Sequence, residues 1–312
     1  MNKNESYSPL VSVVVPNYNY EHYLDERLDS ILNQTYRDLE VIILDDCSTD
    51  NSRAVIEKYR SHEKVSKIIY NEENGGSPFM QWQRGIEEAK GDIIWIAESD
   101  DSCDEKLLES LVQGYLDSNA VLAFCKSCKY DVDGNRCSYA PQNILLKSFS
   151  MTGHDFIKEY MIHDNIVANA SSAIFSRQAA LSVDRQYMSM RGEGDWLFWI
   201  GLMQTGNVFF CKDELNYFRF HQLNTTKSLL NKGVSYIEHK IIYDHLVKCG
   251  YIEPASIWKE RLRFLTCCVN MTYDSRATRR KVLNTWDKNR LGRLHICGSR
   301  MKVFLLSLWD LF

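Results

Sequence analysis

Short apolar runs recur through the first 125 residues, with amphipathic stretches between them. Val11–Val15 is almost wholly β-branched and is closed by Pro16; Glu40–Leu44, Val65–Tyr70, Asp92–Ala97 and Ala120–Phe124 follow. Runs this short and apolar read as buried strands. Leu24, Leu28, Ile31 and Leu32 recur at helical spacing, as do Val55, Ile56 and Tyr59, then Phe79, Trp82 and Ile86, then Leu107, Leu108, Leu111 and Tyr115. Ser48-Thr49-Asp50-Asn51-Ser52 is dense in N-cap residues, with Asp50 read as a cap. Asn74-Gly75-Gly76 is a turn, and Pro78 suits a first helical turn, where its missing N–H costs nothing. Strands alternating with helices predict an α/β fold, a parallel sheet covered on both faces.

Beyond Asp133-Gly134 the rhythm loosens. Strands are expected at Ser171–Phe175, Asn207–Cys211 and Leu215–Phe220, and a helix at Trp196–Met203. From Lys227 the pattern is helical and basic. Residues 1–226 hold 21 Lys/Arg and 34 Asp/Glu, a net of −13, and residues 227–312 hold 16 and 7, a net of +9. No internal repeat or flexible linker interrupts the chain, so one globule with a helical tail is expected. No run approaches the roughly 20 apolar residues of a spanning helix. Met1–Ser6 lacks the apolar core of a signal peptide, and the ten cysteines are expected as free thiols in a reducing compartment.

In an open α/β sheet, ligands bind beyond the carboxyl ends of the strands. Those ends carry Pro16-Asn17-Tyr18-Asn19, Asp45-Asp46 and Glu98-Ser99-Asp100-Asp101. Two acidic pairs at neighbouring ends repel unless something neutralises them. A hard divalent cation does so, bound through one or two carboxylates and substrate phosphates. The first loop lacks Gly-x-Gly-x-x-Gly, and the Gly-x-x-x-x-Gly-Lys-Ser/Thr phosphate loop is absent, so a metal is the expected neutraliser of any bound diphosphate. Cys125-Lys126-Ser127-Cys128, with Cys137 nearby, lacks the second close pair of a structural zinc site. These thiols, and Cys267-Cys268, read as packing residues.

Four ordered segments resemble the family 2 glycosyltransferases: Val11–Asn19, Ser30–Tyr36, Glu40–Asp50, and Ala89–Asp92 leading to Ser99-Asp100-Asp101. The resemblance is strong over about 10–130 and weaker over 165–225; Asn74–Trp82 resembles a subgroup signature of bacterial surface-polysaccharide enzymes. It implies a GT-A fold: a Rossmann-like nucleotide-binding half with a mixed central sheet, over about 10–130, an acceptor half over about 131–226, and here a basic helical region at 227–312. It implies sugar transfer from a nucleotide diphosphate donor to a saccharide or lipid-linked saccharide, with Mn²⁺ or Mg²⁺. Pro16 and Tyr18 would lie against the base and Asp46 would hydrogen-bond it, favouring a uracil nucleotide. Asp101 would bind the metal, and Asp100 would sit near the ribose and a metal-bound water. Glu98 stands where many members have an Asp.

Inverting transfer needs a carboxylate to take the acceptor's proton. Arg191–Trp199 looks like the family's base segment, with Asp195 the base and Glu193 the reserve; Asp195 could also cap the helix that follows. Phe218-Arg219-Phe220-His221 resembles a late strand that delivers Arg219 to the donor diphosphate and His221 to metal or phosphate. The tail sets nine Arg and Lys residues between Arg276 and Lys302 beside Val303–Phe312, a pattern suited to the interface of an anionic membrane. The expected location is cytoplasmic, on the inner face of the plasma membrane. The alternative for the tail is a packed basic helix or an oligomer contact, and nucleic acid is not expected. Two other readings, a sugar-1-phosphate nucleotidylyltransferase and a non-catalytic peripheral membrane module, fit less well. The first wants a glycine-rich basic loop after the first strand, and the second leaves the acidic pairs idle.

Overall fold

The computed structural model describes residues 8–130, 135–138, 142, 145–167, 169–219 and 225–286. The chain divides into two units: Met1–Met190 with Gly194–Gln222, and Arg191–Glu193 with Leu223–Phe312.

The first unit runs β1 (Val11–Asn17), α1 (Glu21–Leu32), β2 (Leu39–Asp45), α2 (Ser52–Lys58), β3 (Val65–Tyr70), α3 (Pro78–Glu88), β4 (Ile93–Ile96), β5 (Ser102–Cys103), α4 (Leu107–Asp117), β6 (Ala120–Tyr130), β7 (Arg136–Ser138), β8 (Phe149–Thr152), α5 (Gly153–Phe156), β9 (Ala173–Ser176), α6 (Arg177–Ser182), α7 (Gly194–Met203) and β10 (Asn207–Arg219). The strands form one sheet in the order β3-β2-β1-β4-β9-β6-β10-β5, with β7 on β6 and β8 on β10. Strand alternation sends Val11, Val13 and Val15 of β1 to one face, in a core shared with Leu24, Leu28 and Ile31 of α1 and Leu107, Leu108 and Leu111 of α4. On the other face α3 packs close. A Cβ on Gly85 would meet Val14 Cγ1 at 2.2 Å, so only glycine admits that approach.

The parallel sheet expected from periodicity describes the first four strands, and the sheet as a whole is mixed, as the resemblance implies. β3, β2, β1 and β4 are parallel, but β9 runs antiparallel to both β4 and β6. The chain reaches β9 through the short turn Ala170–Ser172, at the edge where β4 ends, so the strand can only run back. Pro16 does not close β1, which continues to Asn17. Val14 O accepts Ala97 N at the end of β4, and Pro16 O, facing the same way, accepts Ser99 Oγ at 2.7 Å. The missing proline N–H thus faces a side where the neighbouring strand has already ended. The two strands expected at 207–211 and 215–220 are one, β10, bulged between Cys211 and Asn216. The bulge divides its far edge between β8 and β5.

The second unit holds α8 (Thr225–Asn231), α9 (Val234–Lys248), α10 (Ile257–Asn270) and α11 (Arg276–Trp286). Its core forms around fully buried Trp286, stacked on Phe264 with ring centroids 5.1 Å apart and donating Nε1–H to Tyr236 O at 2.8 Å. Buried Glu238 of α9 accepts three successive backbone N–H groups, from Arg191, Gly192 and Glu193, at 2.8–2.9 Å. None of the described helices is long and apolar enough to cross a membrane.

Candidate active site

The first two loops at the carboxyl edge of the sheet are stitched together. Asn17 Nδ2 donates to Asp45 Oδ1 at 2.9 Å and to Ser48 Oγ at 3.1 Å, and Thr49 N donates to Asn19 Oδ1 at 2.7 Å. Asp50, one residue before the N-cap of α2, accepts the first N–H of two helices, Ser52 N of α2 and Glu21 N of α1, both at 3.0 Å. Tyr18 stands 45% exposed beside this seam, and Pro16 lies buried beneath it.

Asp45 and Asp46 diverge. Asp45 is buried against Asn17, Ser48 N and Arg53. Asp46 turns toward the 71–81 segment and accepts Asn71 Nδ2 at 2.7 Å, Gln81 Nε2 at 2.8 Å and Gly75 N at 3.0 Å. These donors lie 25 to 35 residues on, so the sequence alone did not reveal them.

The Asn74–Trp82 segment is therefore a brace. Gln81 holds Asp46, and the next residue, Trp82, donates Nε1–H to Glu98 Oε1 at 2.9 Å. Ser77 Oγ donates to Met190 O at 3.0 Å, and Phe79 lies against Gly194, the first residue of α7. The second residue of α7 is Asp195, half-buried, with Oδ2 accepting Asn165 Nδ2 at 2.8 Å. Glu193 belongs to the second unit, where its Oε2 lies 3.3 Å from His239 Nε2.

Glu98, Asp100 and Asp101 follow β4. Burial, then the Asp100 carboxylate, pushes Glu98 up to about 8 and moves Asp101 in the same direction. Asp101 Oδ1 accepts the backbone N–H of Arg219 at 3.2 Å, so the end of β10 meets the acidic cluster. The Arg219 guanidinium donates to Asp100 O and to Glu26, clamped between the rings of Tyr23 and Tyr130 at 4.8 and 4.5 Å. His221 lies outside the described residues, as does the chain from 287 on.

Arg27 was missed by sequence reasoning. It occupies the buried stripe of α1 with Leu24, Leu28 and Ile31, and its guanidinium is fully buried over the Trp95 ring at 4.9 Å. Among the described residues none of its three nitrogens meets a hydrogen-bond acceptor, and it opposes the upward shifts of Glu98 and Asp101. A basic residue at i+3 in an apolar stripe was the available signal.

The donor set fits a divalent cation. Three carboxylates offer only oxygen, and burial together with Asp100 disfavours the ionised forms of Glu98 and Asp101, a penalty that a bound cation would relieve. Among the described residues no three His, Cys, Asp or Glu form a ready-made metal cage. A hard cation held by one or two carboxylates completes its coordination with substrate oxygens and water. Cys125 and Cys128 are buried in β6, and no disulfide joins the cysteines whose side chains are described.

Residues 12–182 match the family model described as Glycosyl transferase family 2. Glycosyltransferase GlyG of Streptococcus pneumoniae is 33% identical over 192 residues, covering 61% of this chain and 52% of that protein. The chain thus spans about half the length of that relative. Putative teichuronic acid biosynthesis glycosyltransferase TuaG of Bacillus subtilis is 26% identical over 67% of this chain and 78% of its own. Among solved structures, S. aureus TarS 1-349 in complex with UDP-GlcNAc superposes with TM-score 0.58 at 20% identity, covering 89% of this chain and 71% of that one. Mannosyltransferase PcManGT from Pyrobaculum calidifontis, in complex with GDP-Man and Mn²⁺, gives TM-score 0.58 at 15% identity, covering 98% and 88%. These likenesses identify the fold of the first unit as GT-A, with the mixed sheet described above.

Proposed function

The chain belongs to glycosyl transferase family 2, and on that premise we propose that it is an inverting, metal-dependent glycosyltransferase. It moves a sugar from a nucleotide diphosphate, with uracil the favoured base, to a saccharide or lipid-linked saccharide in bacterial surface-polysaccharide synthesis. The observation that supports this most directly is the acidic cluster after β4, joined to the end of β10 through Asp101 and Arg219. The named relatives and the UDP-GlcNAc and Mn²⁺ complexes of the structural neighbours support donor and metal class.

Residues of about 10–130 bind the donor. Tyr18 and Pro16 flank the base, and Asp46 contributes to its pocket. Asp101, with Asp100 beside it and His221 as a further ligand, would hold Mn²⁺ or Mg²⁺, which as a Lewis acid would stabilise the charge on the departing diphosphate. Arg219 adds positive charge to that side. Residues of about 131–226 receive the acceptor. Asp195 takes the proton of the acceptor hydroxyl as its oxygen forms a bond to the anomeric carbon, and the bond from that carbon to the donor phosphate breaks with its electron pair leaving on the diphosphate. Asn165 fixes the plane of the Asp195 carboxylate, whereas Glu193 is occupied by His239, which favours Asp195 as the base.

Asp195→Asn should leave donor affinity near wild type and lower transfer by roughly 10²–10⁴. Full turnover in this variant with loss in Glu193→Gln would make Glu193 the base; full turnover in both would refute the assignment.

The basic region of 227–312 serves the inner face of an anionic membrane. Trp258 is 48% exposed beside exposed Lys259, and Arg276, Arg280 and Lys281 of α11 are exposed. Because Trp286 is core, the informative truncation ends after it rather than within α11. Removal of 287–312 should weaken co-sedimentation with anionic vesicles; equal binding with and without that segment would refute its role.

A further inference from the structure

The Asp101 carboxylate is buried to 1% exposure, and its two oxygens are not equivalent. Oδ2 accepts Ser171 Oγ at 2.7 Å and Asn169 Nδ2 at 2.8 Å. Oδ1 accepts one backbone N–H, from Arg219 at 3.2 Å. A carboxylate oxygen has two lone-pair directions. Among the described residues Oδ2 is therefore filled, while Oδ1 keeps one direction open.

Both donors are themselves fixed. Ser171 Oγ accepts the Glu98 backbone N–H at 3.0 Å, so its own hydrogen is committed to Asp101. Asn169 Oδ1 accepts Ser171 N at 2.7 Å and Asn216 Nδ2 at 3.4 Å, which turns the amide nitrogen toward Asp101. Asn216, fully buried in β10, also donates to Ser127 Oγ at 3.0 Å. The antiparallel entry into β9 is what brings Asn169 and Ser171 to the loop after β4.

We propose that Ser171 and Asn169 are positioning residues that make Asp101 a one-oxygen ligand, offering Oδ1 alone to the divalent cation. This rests on the reading of Asp101 as a metal ligand. Two fixed donors on Oδ2 hold the carboxylate plane and keep that oxygen out of coordination. Loss of either lets the group rotate. Partners one step removed from a metal set its affinity by about 10–100-fold.

The test is Mn²⁺ affinity of the full chain in the presence of excess UDP, read by electron paramagnetic resonance of free Mn²⁺, with melting temperature in EDTA as the control for folding. Ser171→Ala should weaken Mn²⁺ binding at least tenfold while its melt stays close to wild type. Asn169→Ala, at a partly exposed position, should do the same and serves if the serine variant does not fold. Asp101→Asn should abolish binding. If Asp101→Asn binds Mn²⁺ as wild type does, the ligand reading falls and this inference with it. If Asp101→Asn loses Mn²⁺ while folded Ser171→Ala or Asn169→Ala keeps wild-type affinity, the inference alone is overturned.

Discussion

Replacing Glu98 by Gln should make the metal-free protein more stable above neutral pH. The Glu98 carboxyl is raised from its ordinary 4.5 to about 8, first by burial and then by Asp100. Between those values the folded protein holds a proton that the unfolded chain has released. Unfolding then releases that proton, so the Glu98 contribution to stability is most favourable below about 4.5 and is lost as pH rises toward 8. At about 1.4 kcal/mol per tenfold change in proton affinity, the displacement is worth at most about 5 kcal/mol. Gln keeps the size of the side chain and the oxygen that accepts Trp82 Nε1–H at 2.9 Å, but has no proton to lose. For a unit of this size, 1 kcal/mol moves the melting temperature by about 2–4 °C. Wild type in EDTA should therefore lose on the order of 10 °C between pH 5 and 8.5, and Mn²⁺ should restore most of it. Asp101 shifts the same way, so Glu98→Gln should flatten the curve without levelling it. Thermal melts followed by circular dichroism at several pH values decide the matter. A Glu98→Gln curve as steep as that of wild type would refute the reasoning.

Gly194→Ala tests the start of α7. Alanine ordinarily favours a helix by about 1 kcal/mol, but here its Cβ would lie 2.5 Å from the Phe79 ring and 2.7 Å from Tyr187 O, a backbone atom that cannot swing away. A net loss of about 1–3 kcal/mol is expected, with kcat falling more than donor KM rises because Asp195 is the next residue; a stabilised variant would contradict the packing. Glu238→Ala should strip three backbone N–H groups of a charged acceptor and cost the second unit about 3 kcal/mol or more in urea denaturation, and a change under 0.5 kcal/mol would contradict that role.

The alternation of strand and helix was legible because burial on both sheet faces forces continuous apolar runs, and periodicity records which face a residue takes. Periodicity does not record the neighbour. Nothing within Ser171–Ser176 says that β9 inserts backwards between β4 and β6, since direction follows from where the preceding turn sits. The break at Lys212–Glu214 looked like a loop because a bulge and a loop share the same local polarity. The strand-end carboxylates could be read directly, as charge at a place where chains rarely concentrate it. Their partners could not: Ser171 and Asn169 reach Asp101 across 68 to 70 residues, and a serine or asparagine in isolation has no distinguishing pattern. Arg27 was visible and passed over, a cation among leucines.

The Asn74–Trp82 brace bears on how this enzyme can be altered. Gln81 and Trp82 share a peptide bond, yet one grips the carboxylate after β2 and the other the carboxylate after β4, while Phe79 of the same helix seats the first residue of α7. Substitutions made at those places are not independent, because each is felt through one rigid turn of α3. Grafting a strand-end loop from a relative, one segment at a time, would leave the graft resting on a support cut for a different pair of acids. The smallest exchangeable part is the strand-end loop together with the start of α3, to be varied jointly rather than one segment at a time.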